Sequence, residues 1–231
     1  MTPVLIACSH GTSSLDGRAA ISDLVENVRL LLPGVAVEEA FVDVQQPEID
    51  DVVRATAPRD AIVVPLLLST GFHTKVDIAR AVTDAGHRAT ATAALGPHPL
   101  LADLLATRLR EVGLAPGDAV VLAAAGSSDP AASVDVAAMA DLLRERVAAP
   151  VSVGFAAGGG TRIDAAVSAA RDAGARRVVA ASYVLAPGFF ADVIARAGAD
   201  AVTTPLAPDA AVAAVVVERY LAAVRAPVDV A

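Results

Sequence analysis

Short runs of β-branched and aliphatic residues alternate along the chain with stretches whose apolar positions recur every three or four residues. That is the pattern of parallel strands joined by helical crossovers. The apolar run Val4–Ser9 fits a strand buried on both faces. After it, Ile21, Leu24, Val25, Val28, Leu31 and Leu32 form one helical stripe, stopped by Pro33-Gly34. Further strands are expected over 35–42, 61–68 and 89–95, and helices over 47–57, 75–85 and 99–112, which makes four βα units. The segment Leu114-Ala115-Pro116-Gly117-Asp118 breaks this rhythm. A second series follows, with strands expected over 119–125, 150–155, 177–185 and 201–205 and helices between and after them.

The two series align. Gly11 falls on Gly126 at an offset of 115, Phe41, Ile49 and Asp50 on Phe155, Ile163 and Asp164 at 114, and Gly71 on Gly188 at 117. Three ordered matches at a nearly constant offset argue for a duplicated unit. The fold class expected is therefore α/β, as two similar four-stranded parallel-sheet domains, residues 1–114 and 118–226, with a cleft between them.

Composition narrows the function. Against 18 basic side chains stand 26 acidic ones, a net charge of -8 that four protonated histidines would bring only to -4. A general nucleic-acid or anionic-membrane binder is excluded on that ground. The longest apolar runs, 61–68 and 210–217, are too short to span a bilayer, and the first residues have no secretory pattern, so a cytoplasmic protein is expected. The single cysteine, Cys8, rules out an internal disulfide framework and a cysteine-built zinc site. A buried structural thiol is the expectation there.

Ligands of open parallel sheets bind beyond the carboxyl ends of the strands, where the strand order reverses. In the common order 2-1-3-4 this rim carries His10 after the first strand, Asp43 after the second and His73 after the third. Two imidazoles and a carboxylate suit a divalent metal with open positions. The second series holds Ala125, Ala157 and Phe190 at the equivalent places, as expected if one site serves both halves. Each residue also has a plainer use: His10 and Asp43 as helix caps, His73 as a polar loop residue. His87 is expected in a solvated turn, His98 at a helix start and Gly158-Gly159-Gly160 in a flexible loop. Ser9-His10-Gly11-Thr12 lacks the arginine that a phosphohistidine site sets before its histidine.

Taken in order, several stretches resemble the sirohydrochlorin chelatases of the CbiX/SirB type, class II tetrapyrrole chelatases. These are His10-Gly11-Thr12, Phe41-Val42-Asp43 with Pro47 and Ile49, Pro65-Leu66-Leu67-Leu68 running to Gly71-Phe72-His73 with Asp77-Ile78, and Leu95-Gly96-Pro97-His98-Pro99-Leu100-Leu101. The likeness covers nearly the whole chain. It implies an enzyme, a lyase, that inserts Fe²⁺ or Co²⁺ into sirohydrochlorin on the way to sirohaem or cobalamin. The metal is then a substrate, and no permanent cofactor is expected.

The family's two active-site histidines carry over onto His10 and His73, as ligands that also relay the pyrrole protons. Its third metal position, usually glutamate, falls on Asp43, whose shorter side chain would act through a water or by orienting a histidine. Sirohydrochlorin bears eight carboxylates, so contacts are expected from Ser13, Ser14, Gly71, Phe72, Lys75, Ser127 and Ser128, with Arg80 close by. The partners implied are sirohydrochlorin and a divalent metal, with neither nucleic acid nor membrane, and a monomer would suffice. The alternatives are a non-catalytic metal or tetrapyrrole carrier and a histidine-dependent phosphoryl-transfer enzyme.

Overall fold

The computed structural model describes residues 2–71 and 73–226, and of residues 73–75 the backbone only. Strands and helices alternate as β1 (Val4–Ser9), α1 (Leu15–Leu31), β2 (Val37–Phe41), α2 (Ile49–Ala55), β3 (Ala61–Pro65), α3 (Ala79–Thr83), β4 (Ala89–Ala91) and α4 (Pro99–Glu111). They continue as β5 (Asp118–Ala124), α5 (Pro130–Arg144), β6 (Val151–Phe155), α6 (Ile163–Asp172), β7 (Arg177–Tyr183), α7 (Phe189–Ala195), β8 (Ala201–Val202) and α8 (Ala210–Arg225). A wide helical turn, His73–Ile78, leads into α3. All strand pairs are parallel, in two sheets of order β2-β1-β3-β4 and β6-β5-β7-β8. Both sheets thus have the expected order.

The likeness of the halves extends to single contacts. Arg29 Nη2 donates to Val37 O at 3.0 Å and Arg144 Nη2 to Val151 O at 2.8 Å, each tying the end of a helix to the next strand. Asp43 N donates to His10 O at 3.1 Å, and Ala157 N to Ala125 O at 2.8 Å.

The central strands alternate between two cores. Leu5 and Ala7 of β1, with Val120, Leu122 and Ala124 of β5, face a shared core that takes in α1, α4, α5 and α8. Val4, Ile6 and Cys8 face α2 and α3, whereas Val121 and Ala123 face α6 and α7. The fourth helices are exchanged: α8 packs on α1 and β3, and α4 on α5 and β7. Tyr220 of α8 donates its hydroxyl to Pro3 O at 2.7 Å, and Arg108 of α4 meets Asp209 at 3.3 Å. The sequence halves are therefore topological units whose apolar faces are closed by each other's last helix.

Several boundaries differ from the sequence expectation. β3 stops at Pro65, whose ring leaves no N–H for the ladder, although Leu66 N still donates to Cys8 O at 2.7 Å. β4 is three residues long because the chain then leaves this edge to bury Leu95 beside Leu67. Leu31 falls off the apolar stripe at the last turn of α1 and is 51% exposed, while Leu32 is buried. His98 caps α4, its Nδ1 accepting from Leu100 N at 3.2 Å. His87 is half-buried rather than solvated, its ring nitrogens 3.0 Å from Ala85 O and 3.0 Å from Thr56 Oγ1. The glycine run is a close-contact turn: a Cβ at Gly158, where φ is +73°, would lie 2.4 Å from Ser127 O. Among the described residues no helix is long and apolar enough to cross a membrane.

Candidate functional site

In each sheet the order reverses between the first and third strands in sequence, β1 and β3 or β5 and β7, and the loops leaving those strands face one another across the halves. They enclose a cavity of about 590 Å³, within the usual range of small-molecule sites. Its walls come from 9–13, 44–45 and 66–71 of the first half and from 124–128 and 183–190 of the second, with Ile21 and Val136 from the helices. A larger cavity of about 920 Å³ lies around Asp118, Pro150 and Gly174, at the opposite ends of β5 and β6. None of the candidate residues lines it, and parallel sheets bind ligands at the carboxyl ends of their strands, so the chemistry belongs to the smaller space.

His10 leaves β1 directly into the wall of this cavity, half-buried, with Nδ1 3.3 Å from Gly11 O. Gly11 makes the turn possible. It adopts φ +92°, and a Cβ there would sit 2.2 Å from Asp43 O, so only glycine lets the loops after β1 and β2 close together. Asp43 is exposed and outside the cavity lining, its Oδ1 accepting from Val44 N at 2.7 Å. The lining takes its neighbours Val44 and Gln45 instead, and Gln45 Oε1 accepts from Thr12 N at 2.9 Å. His73 begins the wide turn just beyond Gly71; its side chain, like that of Lys75 and like Phe72 as a whole, lies outside the described residues. Among the described residues no three His, Cys, Asp or Glu side chains cluster as a metal site.

Of the residues expected to meet substrate, Ser13, Gly71, Ser127 and Ser128 line the cavity. Ser14 does not; it caps α1, its Oγ accepting from Gly17 N at 3.2 Å. The N-terminus of α5 is already answered by a carboxylate, since Asp129 Oδ1 accepts from Ala131 N at 2.9 Å. Arg80 stands outside the lining, paired with Asp50 at 2.9 Å.

Among the described residues the lining contains no charged side chain. Cys8 lies below the rim, fully buried, and burial together with the nearby Asp77 carboxylate pushes its thiol up to about 12, so it is neither nucleophile nor ligand at neutral pH.

Several wall residues carry no signal in the sequence. Ser9 is 5% exposed, and its Oγ has no hydrogen-bond partner among the described residues. Phe189 and Phe190 stand edge to face with centroids 5.3 Å apart, 70% and 39% exposed, an unusual exposure for two phenyl rings at a cavity wall. In the sequence Phe190 stands only as the residue at the place equivalent to His73. Its exposure depends on the packing of the second half, which no local pattern reports.

Comparisons with known proteins agree with this architecture. The family model CbiX matches residues 4–112 and 119–223. The probable sirohydrochlorin cobaltochelatase of Halobacterium salinarum is 34% identical over 132 residues, 50% of this chain and 44% of that protein. The sirohydrochlorin ferrochelatase of Bacillus subtilis is 28% identical over 156 residues, 64% of this chain and 60% of that protein. The chain thus spans about half the length of these relatives. The structure of SirB from Bacillus subtilis with Fe³⁺ shares the fold, with a TM-score of 0.82 at 22% identity over 95% of this chain and 94% of that one.

Proposed function

Because the chain belongs to the CbiX family, we propose that it inserts a divalent metal, Fe²⁺ or Co²⁺, into sirohydrochlorin, with residues 1–114 carrying the chemistry and residues 118–226 serving as the facing wall. The observation that carries this reading is His10 at the carboxyl end of β1, opening into a cavity built from the strand-order reversals of both halves.

Insertion requires that a cation shed water, that the macrocycle be held over it and that two pyrrole protons leave. The imidazoles of His10 and His73 bind the incoming ion and accept those protons. Asp43, whose Oδ1 accepts from Val44 N, acts on the metal through a water or through a histidine. The apolar faces of Phe189, Phe190 and Leu185 suit the ring, while the hydroxyls of Ser9, Ser13, Ser127 and Ser128 and the amide of Gln45 are donors for its carboxylates. Carboxylates that find no donor stay in solvent, where the -8 net charge is screened. Since the product takes the metal away, the protein holds none permanently. Both walls come from one chain, which supports a monomer, and the lack of a membrane-spanning helix among the described residues is compatible with a cytoplasmic enzyme.

The test is an anaerobic absorbance time course of sirohydrochlorin with Fe²⁺ or Co²⁺ at substoichiometric protein, beside His10→Ala and His73→Ala. Multiple turnovers above the spontaneous rate are expected, falling about 100-fold or more in either variant. Stoichiometric binding without turnover would overturn the chelatase in favour of a carrier.

A further inference from the structure

The segment 66–71 carries the chain from β3 to His73, and at least four hydrogen bonds from outside the segment hold its backbone. Two come from its own half, Leu66 N to Cys8 O at 2.7 Å and Leu95 N to Leu67 O at 2.8 Å. The other two come from the opposite half: Tyr183 donates its hydroxyl to Leu68 O at 2.9 Å, and Asp135 Oδ2 accepts from Thr70 N at 2.7 Å. Tyr183 is 2% exposed at the end of β7, and Asp135 is half-buried on α5.

The tyrosine contact has required room elsewhere. A Cβ at Gly96 would lie 1.9 Å from the Tyr183 hydroxyl and 2.5 Å from Leu68 O, so this bond and any larger residue at position 96 exclude each other.

The arrangement runs in one direction only. By the offsets that align the halves, Tyr183 corresponds to Leu66, Asp135 to Ala20 and Thr70 to Pro187. Neither Leu66 nor Ala20 has a polar side-chain atom, and Pro187 has no N–H to give. The half with Ala125 and Phe190 in place of the histidines is therefore the half that supplies both polar groups to the other's loop.

We propose that Tyr183 and Asp135 are positioning residues that set the 66–71 segment across the cavity from His10, and with it the point at which the chain enters the turn that begins at His73. This rests on the function proposed above. On it, the second half is retained for register as well as for surface. Each bond fixes a backbone atom within five residues of His73, and a displacement of about 1 Å at a reacting group can reduce a rate about 100-fold.

The experiment compares Tyr183→Phe, Asp135→Ala and Asp135→Asn in the full chain by three measurements. These are kcat and KM for sirohydrochlorin, Co²⁺ affinity from ligand-field absorption without tetrapyrrole, and thermal melting to establish that each variant is folded at the assay temperature. Tyr183→Phe and Asp135→Ala are expected to lose about 10- to 100-fold in kcat and about 10-fold in Co²⁺ affinity with KM within about twofold. Asp135→Asn keeps an oxygen that accepts from Thr70 N and is expected to recover kcat to within about threefold. A merely structural role would lower melting without this rescue or the change in Co²⁺ affinity. Folded variants with wild-type kcat and Co²⁺ affinity would overturn the proposal, as would a wild-type protein that binds no Co²⁺. Wild-type protein that binds Co²⁺ but turns over no sirohydrochlorin would overturn the chelatase reading instead, and the Co²⁺ affinities would still decide the positioning role. Tyr183→Phe, which deletes one oxygen, carries the test if Asp135→Ala does not fold.

Discussion

Gly11 and Gly126 offer a paired perturbation in which backbone strain is matched and chemistry is not. They adopt φ of +92° and +87°, and an added Cβ would lie 2.2 Å from Asp43 O in one case and 2.0 Å from Ala157 O in the other. Alanine at either position accepts left-handed strain of about 1–3 kcal/mol and a collision relieved only by moving the adjoining loop about 1 Å, roughly another 1–3 kcal/mol. For a chain of this size each kcal/mol lowers melting by about 2–4 °C, so both variants should melt about 5–20 °C below wild type. Their kinetics should diverge. In Gly11→Ala the displaced loops are those joined by Asp43 N and His10 O, so His10 moves and kcat should fall about 100-fold. In Gly126→Ala the displaced loops carry Ala125 and Ala157 in place of His10 and Asp43, and the loss should appear mainly in KM for sirohydrochlorin. Melting curves and steady-state insertion rates, taken below both transitions, check this. Equal losses of kcat in the two variants, or wild-type kcat in Gly11→Ala, would refute the assignment of the chemistry to the first half.

Three further outcomes follow from the packing. The Cys8 thiol, raised from its ordinary 9.0 to about 12 by burial and by Asp77, stabilises the fold fully below pH 9, and that contribution is lost as pH rises through the folded value. The shift amounts to about 4 kcal/mol, so by pH 10.5 wild type should lose on the order of 2 kcal/mol more unfolding free energy than Cys8→Ala, and parallel pH profiles in denaturant titrations would count against it. Phe190→Ala should raise KM for sirohydrochlorin about 2- to 10-fold with kcat nearly unchanged; an unaltered KM would remove the ring from the binding surface. A chain ending at residue 208 loses the fully buried Val212, Val215, Val216 and Tyr220 that cover the first half, a loss of at least about 5 kcal/mol against a typical total of about 5–15. It should fail to fold in both halves, and native-like hydrogen-exchange protection of β1 and β3 in that fragment would refute the exchange of helices as a source of stability.

Local chemistry is legible in residues such as Val4–Ser9, whose apolar run is a strand as expected, and His98, whose place before Pro99 makes it a cap. The βα rhythm is legible too, and the common order 2-1-3-4 for such units, which both sheets adopt, places the rim on which His10 stands. Less legible were residues whose roles depend on distant partners. Asp43 shares the rim, but its carboxylate meets Val44 N–H and the lining passes to Gln45, an outcome decided by the tight turn that Gly11 admits. Gly158 looked like slack in the chain and is a contact against Ser127.

By itself the sequence determined what periodicity and short-range chemistry can encode: two series of parallel βα units, one half with His10 and His73 and the other with Ala125 and Phe190, and a single cysteine inside. Tertiary structure alone decided that α4 and α8 change places, that Tyr183 and Asp135 reach Leu68 and Thr70, and that two phenyl rings stand exposed at the cavity. The physical reason is range. A strand or helix stripe repeats within a few residues, whereas Tyr183 finds Leu68 across 115 positions, a pairing that exists only after both sheets have packed on their shared core.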